Sequence, residues 1–267
     1  MEKIGFIGVG NMGGTLAKVA VQSVGAENVL VSSRTVEKAV AFARDTGCSP
    51  VTNEELASTA SYIFLGVKPQ KMAELLAALS PILAARKDRF VLVTMAAGLT
   101  TQQLTQMAGG NCPVLRIMPN TPSLVGKGVI PYCSSPSVTE EECKKLEQIL
   151  APAGCILPMA ESLIDAASAL SGCGPAFVYI YIEALADAGV SCGLPRDVAL
   201  QLASQTVLGA GEMVLKTGLH PAQLKDAVCS PGGSTIAGVC ALEKSGFRTA
   251  AEEAVLAAFK RTKELGK

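Results

Sequence analysis

The 267-residue sequence has no tryptophan and a single histidine, His220. One imidazole cannot build a multi-histidine metal site, and it makes Ser-His-Asp hydrolysis a poor prospect. Charge is also scarce, at 17% of the chain against the ~25% of an average soluble domain. The 23 basic residues are matched by 23 acidic ones. The basic excess of a nucleic-acid binder or membrane-surface helix is therefore missing. Disorder is excluded as well, because 49% of the residues are hydrophobic. The nine cysteines never stand closer than the ten residues between Cys133 and Cys143. C-x-x-C metal or redox spacing is absent, and they read as small hydrophobes in a reducing cytoplasm. Met1-Glu2-Lys3 leads straight into Ile4–Gly8, a start without the basic and apolar regions of a signal peptide.

What stands in place of charge is an apolar surplus, with mean hydropathy +0.37. A chain this apolar needs a second buried surface besides its core, and a subunit interface is expected. The extreme case is Ala166 to Ile182, 17 positions without a charged residue. It falls short of the ~20 residues of a membrane span and is broken by Gly172, Gly174 and Pro175, so a buried helix is expected.

The sequence divides into two textures. In residues 1–159, short apolar runs (Ile4–Ile7, Val29–Ser32, Tyr62–Leu65, Val91–Thr94, Val114–Met118) alternate with helix-like segments such as Thr15–Val24, Val36–Arg44, Gln70–Leu83 and Thr101–Met107. Continuous apolar strands separated by helices predict a parallel sheet covered on both faces. Two more strand candidates, Gly128–Cys133 and Gly154–Leu157, flank a helix opened by Thr139 with Glu142 three places on, a capping-box pattern. Residues 160–267 show only long Ala/Leu/Val-rich helical stretches punctuated by Gly and Pro. The expected fold is α/β: an N-terminal Rossmann-like dinucleotide-binding domain, then an all-helical dimerisation and substrate domain.

Gly8, Gly10 and Gly13 form G-x-G-x-x-G directly after the first strand and at the opening of a helix. The first glycine permits the tight turn, the second lets a pyrophosphate approach the backbone, and the third allows close helix–strand packing. An NAD site would place an acid at the end of the second strand. Here that stretch reads Val31-Ser32-Ser33-Arg34-Thr35. Ser33 and Arg34 can donate to a 2′-phosphate that an acid would repel, so NADPH is the expected cofactor and NADH a weaker alternative.

Three further strings follow strands: Gly66-Val67-Lys68-Pro69, Ala96-Ala97-Gly98 and Met118-Pro119-Asn120-Thr121-Pro122. Strand C-terminal ends are where open α/β sheets bind ligands. The helical half adds Ser171-Gly172-Cys173-Gly174-Pro175, His220-Pro221 and Ser230-Pro231-Gly232-Gly233-Ser234-Thr235. Together these strings, in order from residue 4 to about 262, resemble the pyrroline-5-carboxylate reductase family, which makes proline. The resemblance implies cofactor contacts from Ile7, Gly8, Val9, Gly10, Asn11, Met12, Ser33, Asn53, Val67, Lys68, Pro69 and Ala97. It further implies that Glu161, Ser230, Gly233, Ser234 and Thr235 surround the substrate ring, that the helical domain dimerises, and that decamers occur in several members. Two departures stand out: Cys173 replaces the family's serine, and Leu219 replaces a glutamate common before the His-Pro pair in bacterial relatives.

The scarcity of acid–base residues suits such a reaction. A protonated cyclic imine is already electrophilic, so the protein must mainly position two rings and exclude water. Ser230–Thr235 reads as a loop entering a helix, with Ser230 as cap, free N–H groups for the substrate carboxylate, and the Thr235 hydroxyl as catalytic donor to the ring nitrogen. His220, before a helix-initiating proline, reads as a cap. A 3-hydroxyacid dehydrogenase would need an interdomain helical lysine, and none occurs between Met159 and Leu215. A non-catalytic NADP-binding scaffold would not need the Ser230–Thr235 run. The Ser33-Arg34 reading carries its own test: kcat/KM should be larger with NADPH than with NADH, and a much larger value with NADH would remove Arg34 from cofactor choice.

Overall fold

The computed structural model describes residues 2–110 and 112–265. They form two compact units: Glu2 to Cys173 joined by the C-terminal residues from Ala258, and Gly174 to Ala257.

The first unit runs β1 (Ile4–Ile7), α1 (Asn11–Val24), β2 (Val29–Ser32), α2 (Val36–Thr46), β3 (Ser49–Pro50), α3 (Asn53–Thr59), β4 (Tyr62–Leu65), α4 (Met72–Ala85), β5 (Val91–Thr94), α5 (Thr101–Met107), β6 (Val114–Ile117), β7 (Gly128–Ser134), α6 (Glu140–Leu150), β8 (Gly154–Pro158) and α7 (Glu161–Ala167), then a π-helical turn over Ser168–Gly172. The strands make one sheet ordered β3-β2-β1-β4-β5-β6-β7-β8. All four residues of β1, β2, β4, β5 and β6 are buried, because helices cover both faces. One apolar cluster contains Phe6, Phe64, Leu16 and Ile149, and the other Ile63, Leu65, Leu76 and Leu104.

The expected parallel sheet has one exception: β7 runs antiparallel to β6. Only residues 118–127 connect the two, fewer than the dozen or so a parallel crossover requires. Two elements carry no periodic signal in the sequence. The two-residue edge strand β3 ends in a proline, and the short helix α3 starts because the Thr52 hydroxyl accepts the Glu55 N–H. The Thr139–Glu142 capping box forms as expected.

The compact units divide later in the chain than the change of texture at residue 159. Strand β8 does end at Pro158, but the first unit extends to Cys173. Helix α7 packs on β7, Arg116 on β6 pairs with Asp165, and Asn120 Nδ2 donates to the Ser171 carbonyl at 2.9 Å. Helical texture begins at 161, but the core it joins is still that of the sheet.

The second unit comprises α8 (Gly174–Ser191), α9 (Arg196–Thr217), α10 (Pro221–Ala227), α11 (Ser234–Lys244) and the start of α12 (Phe247–Leu265). Helices α8 and α9 meet through small residues: Ala186, Ala199 and Ala203 are buried together, and a Cβ on Gly189 would sit 3.1 Å from the Ala199 Cβ. The expected buried helix over Ala166–Ile182 is corrected in two ways. The stretch is split by the π-turn, and much of it is open, with Leu170 63% and Ile180 67% exposed. A helix apolar on all sides stays partly open when α9 packs along one side and Phe247 touches it at Tyr181. The segments Glu161–Ser191 and Arg196–Thr217 are each long and apolar enough to cross a membrane by length and composition.

The tightest packing lies where β1 meets α1. Gly8 has φ +97°, its N–H reaches the Ser32 carbonyl at 2.8 Å, and the Gly66 N–H reaches the Ile7 carbonyl at 2.8 Å. A Cβ on Gly13 would run into the Gly8 carbonyl oxygen, well inside van der Waals contact. Gly13→Ala should therefore cost about 1–3 kcal/mol of stability, read as a lower urea midpoint at unchanged slope.

Candidate active site

The C-terminal ends of β1, β2 and β4 open into a cleft of about 830 Å3 in the first unit. It lies where the chain order reverses, with β2 and β3 on one side of β1 and β4 on the other, the crevice in which open α/β sheets take ligands. Its floor is the turn from β1 into α1. Gly10 is the N-cap of α1, no side chain caps that end, and the first turn carries no acid. Nothing lies within 4 Å of where a Gly10 Cβ would be. Gly13 is packed shut and Gly10 faces open space, so the two glycines divide the labour of fold and ligand approach. Uncapped N–H groups and the helix dipole make this end an anion site.

The walls add charge of one sign. Lys18, Arg34, Lys38, Lys68 and Lys71 line the cleft, with Glu74 the only acid among the lining residues. Lys71 holds Glu74 at 2.9 Å and keeps its carboxyl below the usual carboxylate range. The remaining cations face a cleft with no counter-anion in its lining. That surplus, the open face of Gly10 and the absence of an acid after β2 fit a dinucleotide carrying a 2′-phosphate.

Of the residues expected to contact the cofactor, Ile7, Gly8, Val9, Gly10, Asn11, Ser33, Arg34, Asn53, Val67 and Lys68 line this one cleft. Asn53 does so as the first residue of α3. Met12 packs partly into the main core cluster, and Pro69 opens a short helical turn after Lys68. Ala97 belongs to a small apolar cluster with Met118, Cys133, Ile164 and Met159. Burial there, with the Glu161 carboxylate adding to it, pushes the Cys133 thiol up to about 12, so it stays protonated. Sequence reasoning missed Lys18, Lys38 and Lys71 in the lining. Spacing could have suggested them: Lys38 stands four residues after Arg34, Lys18 four after Gly14, and Lys71 three after Lys68.

Glu161, expected at the substrate ring, and Asn120, in one of the strings that follow strands, both have partners within the first unit. Glu161 in the first unit accepts from the Thr101 N–H at 2.7 Å and its hydroxyl at 2.8 Å, and lies 3.7 Å from Arg116. Asn120 of the Met-Pro-Asn-Thr-Pro string accepts the Val129 N–H at 2.9 Å besides holding Ser171. It ties β7 and the π-turn to the end of β6.

Ser230, Gly233, Ser234 and Thr235 come together in the second unit, in the turn that enters α11. The expected cap is corrected here: Gly233, not Ser230, is the N-cap, and no side chain caps the helix. The Gly233 N–H donates to the Ser230 carbonyl at 3.0 Å, and a Cβ on Gly233 would collide with the Ser230 hydroxyl. Gly232 has φ +70°, so the turn needs its glycine. Ser234 and Thr235 are exposed at an uncapped helix start. His220 caps α10 instead: its Nδ1 accepts the Ala222 N–H at 3.2 Å, and its own N–H donates to Gln223 Oε1.

Comparison with known proteins bears on both units. Residues 161–265 match the family model described as pyrroline-5-carboxylate reductase dimerisation, and residues 3–98 match NADP oxidoreductase coenzyme F420-dependent. The chain is 44% identical to pyrroline-5-carboxylate reductase of Glycine max, over 98% of this chain and 95% of that one. It is 39% identical to the enzyme of that name from Escherichia coli (strain K12), over 100% and 99%. Plasmodium falciparum pyrroline carboxylate reductase, solved with NADP bound, superposes with a TM-score of 0.89 at 36% identity, covering 100% of this chain and 98% of that one.

The open face of Gly10 yields a test separate from stability. Gly10→Ala should keep the wild-type urea midpoint yet weaken NADP(H) binding by about tenfold or more in a fluorescence titration, because its methyl group enters only the anion's space.

Proposed function

The chain belongs to the pyrroline-5-carboxylate reductase family, and from that premise we propose how its residues divide the work of reducing pyrroline-5-carboxylate to proline with NADPH. Bound NADPH supplies the hydride. The chain's own part is to hold two ring systems and to keep a proton on the imine nitrogen. The first unit takes the cofactor, with the uncapped start of α1 and the open face of Gly10 receiving the pyrophosphate. Ser33 and Arg34, with Lys38 one helical turn on, receive the 2′-phosphate.

The turn entering α11 takes the imine. Its exposed N–H groups at Ser234 and Thr235 suit the substrate carboxylate, and Gly233 keeps the backbone accessible. The Thr235 hydroxyl is the donor to the ring nitrogen. The observation that carries this assignment is the uncapped start of α11 after a Ser-Pro-Gly-Gly turn, which leaves the donors of a helix end without a side-chain partner. No lysine stands between Met159 and Leu215 to serve as the proton acceptor that an alcohol dehydrogenation would need.

The match to a dimerisation model over 161–265 supports a homo-oligomer. We assign the exposed apolar faces of α8 and α9, among them Ile180, Leu200 and Leu208, to contacts between copies rather than to lipid. A homodimer is the minimal assembly and a decamer of five dimers the larger one. The nine free thiols support a reducing, cytoplasmic setting.

Loss of NADPH absorbance on addition of pyrroline-5-carboxylate tests the reading. No loss would favour a cofactor-binding scaffold, and turnover only with a hydroxyacid and NADP⁺ a dehydrogenase. Thr235→Ala should lower kcat/KM by about one to two decades, ~1.4–2.8 kcal/mol, with NADPH binding intact. Wild-type turnover in that variant would remove Thr235 from the mechanism.

A further inference from the structure

One face of α4 carries the only acid that lines the cofactor cleft. Leu76, Leu79 and Leu83 are buried in the core, which turns Lys71, Glu74 and Ala78, three and four residues apart, toward the cleft. Lys71 Nζ donates to Glu74 Oε2 at 2.9 Å. The two side chains are 60% and 74% exposed, so the pair is weak and its members can exchange partners. Arg34 lines the same cleft from the end of β2, on the far side of β1 from α4. The hydrogen bond and charge of Lys71 hold the Glu74 carboxyl below the usual carboxylate range, and the charge of Arg34 adds to the effect. Glu74 therefore interacts favourably with both cations.

A carboxylate and a phosphate are the same kind of partner to a lysine or an arginine, an anionic acceptor of charge-assisted hydrogen bonds. A 2′-phosphate drawn to Arg34 enters a cleft where one carboxylate already draws on Arg34 and Lys71. A 2′-hydroxyl carries no charge and meets no such competition. The acid on α4 thus acts on one of the two nicotinamide dinucleotides and leaves the other nearly untouched.

We propose that Glu74 is a specificity-determining residue that lowers the preference for NADPH over NADH, by competing with the 2′-phosphate for Lys71 and Arg34. Lys71 is its counterpart: it turns from the carboxylate to the phosphate when the cofactor binds and returns when the cofactor leaves. An acid that reclaims the cations also eases the departure of NADP⁺, which carries the same phosphate. The proposal rests on the NADPH reading above and extends it from the residues after β2 to α4.

The test measures dissociation constants for NADPH and NADH by fluorescence titration on the full-length wild type, Glu74→Gln and Lys71→Gln, with urea midpoints alongside. Glu74→Gln should bind NADPH about three- to fivefold more tightly while its NADH affinity stays within about twofold. Lys71→Gln should weaken NADPH binding by about the same factor, again with NADH within about twofold. Both differences should fade when salt is raised from about 0.1 M to about 1 M, because the screening length falls from about 10 Å to about 3 Å. A purely structural Glu74, stabilising the first turn of α4 through the helix dipole, would lower the urea midpoint of Glu74→Gln and leave the ratio of NADPH to NADH affinity unchanged. That outcome overturns the proposal, as does equal tightening for the two dinucleotides. A wild-type chain that bound neither dinucleotide would instead overturn the functional reading on which the proposal stands.

Discussion

The first unit is assembled around one carbonyl group, that of Gly8. Helix α1 crosses so close to it at Gly13, and the turn after β4 so close at Gly66, that a Cβ at either position would overlap its oxygen. Three chain segments converge there because none of them carries a side chain at the contact. This convergence brings the uncapped N-terminus of α1 to the C-terminal edge of the sheet, beside the ends of β2 and β4. That placement and the helix dipole suit this end of α1 to an anion, and basic side chains line the same cleft.

Charge is spent sparingly in this chain. Five cations surround the cofactor cleft against one acid, and that acid is already paired with Lys71. In the interior of the first unit, Arg116 is matched by two carboxylates from α7. The other buried polar side chains on the strands, Ser32 and Thr94, are neutral hydroxyls at strand ends. Such a distribution suits a reductase whose reactivity resides in its imine and its cofactor, since the protein's share is orientation and exclusion of water. The lone imidazole, His220, is correspondingly a helix cap.

Much of this was legible in the residues. The strands were visible as four-residue apolar runs, and β1, β2, β4 and β5 begin and end where the runs do. The glycine spacing marked the tight turn from β1 into α1, and no acid follows β2, as the residues Ser33 and Arg34 showed. Other features left no local mark. The edge strand β3 is two residues long, the antiparallel turn of β7 depends on the length of its connection, and α7 joins the sheet's core although its texture is helical. Glu161 is the clearest instance. Its partners Thr101 and Arg116 lie 60 and 45 residues away in the chain.

What the sequence determined by itself were properties that act over a few residues: strand and helix periods, capping boxes at Thr139 and His220, and glycines at positions a side chain could not occupy. These depend on local backbone sterics and hydrogen bonding, so they are written where they act. Only the tertiary structure decided which cations share a cleft, which carboxylates meet Arg116, and which apolar faces stay uncovered in a single chain. Those depend on burial and pairing between residues far apart in the chain. The energy of such contacts exists only once the sheet has brought them together.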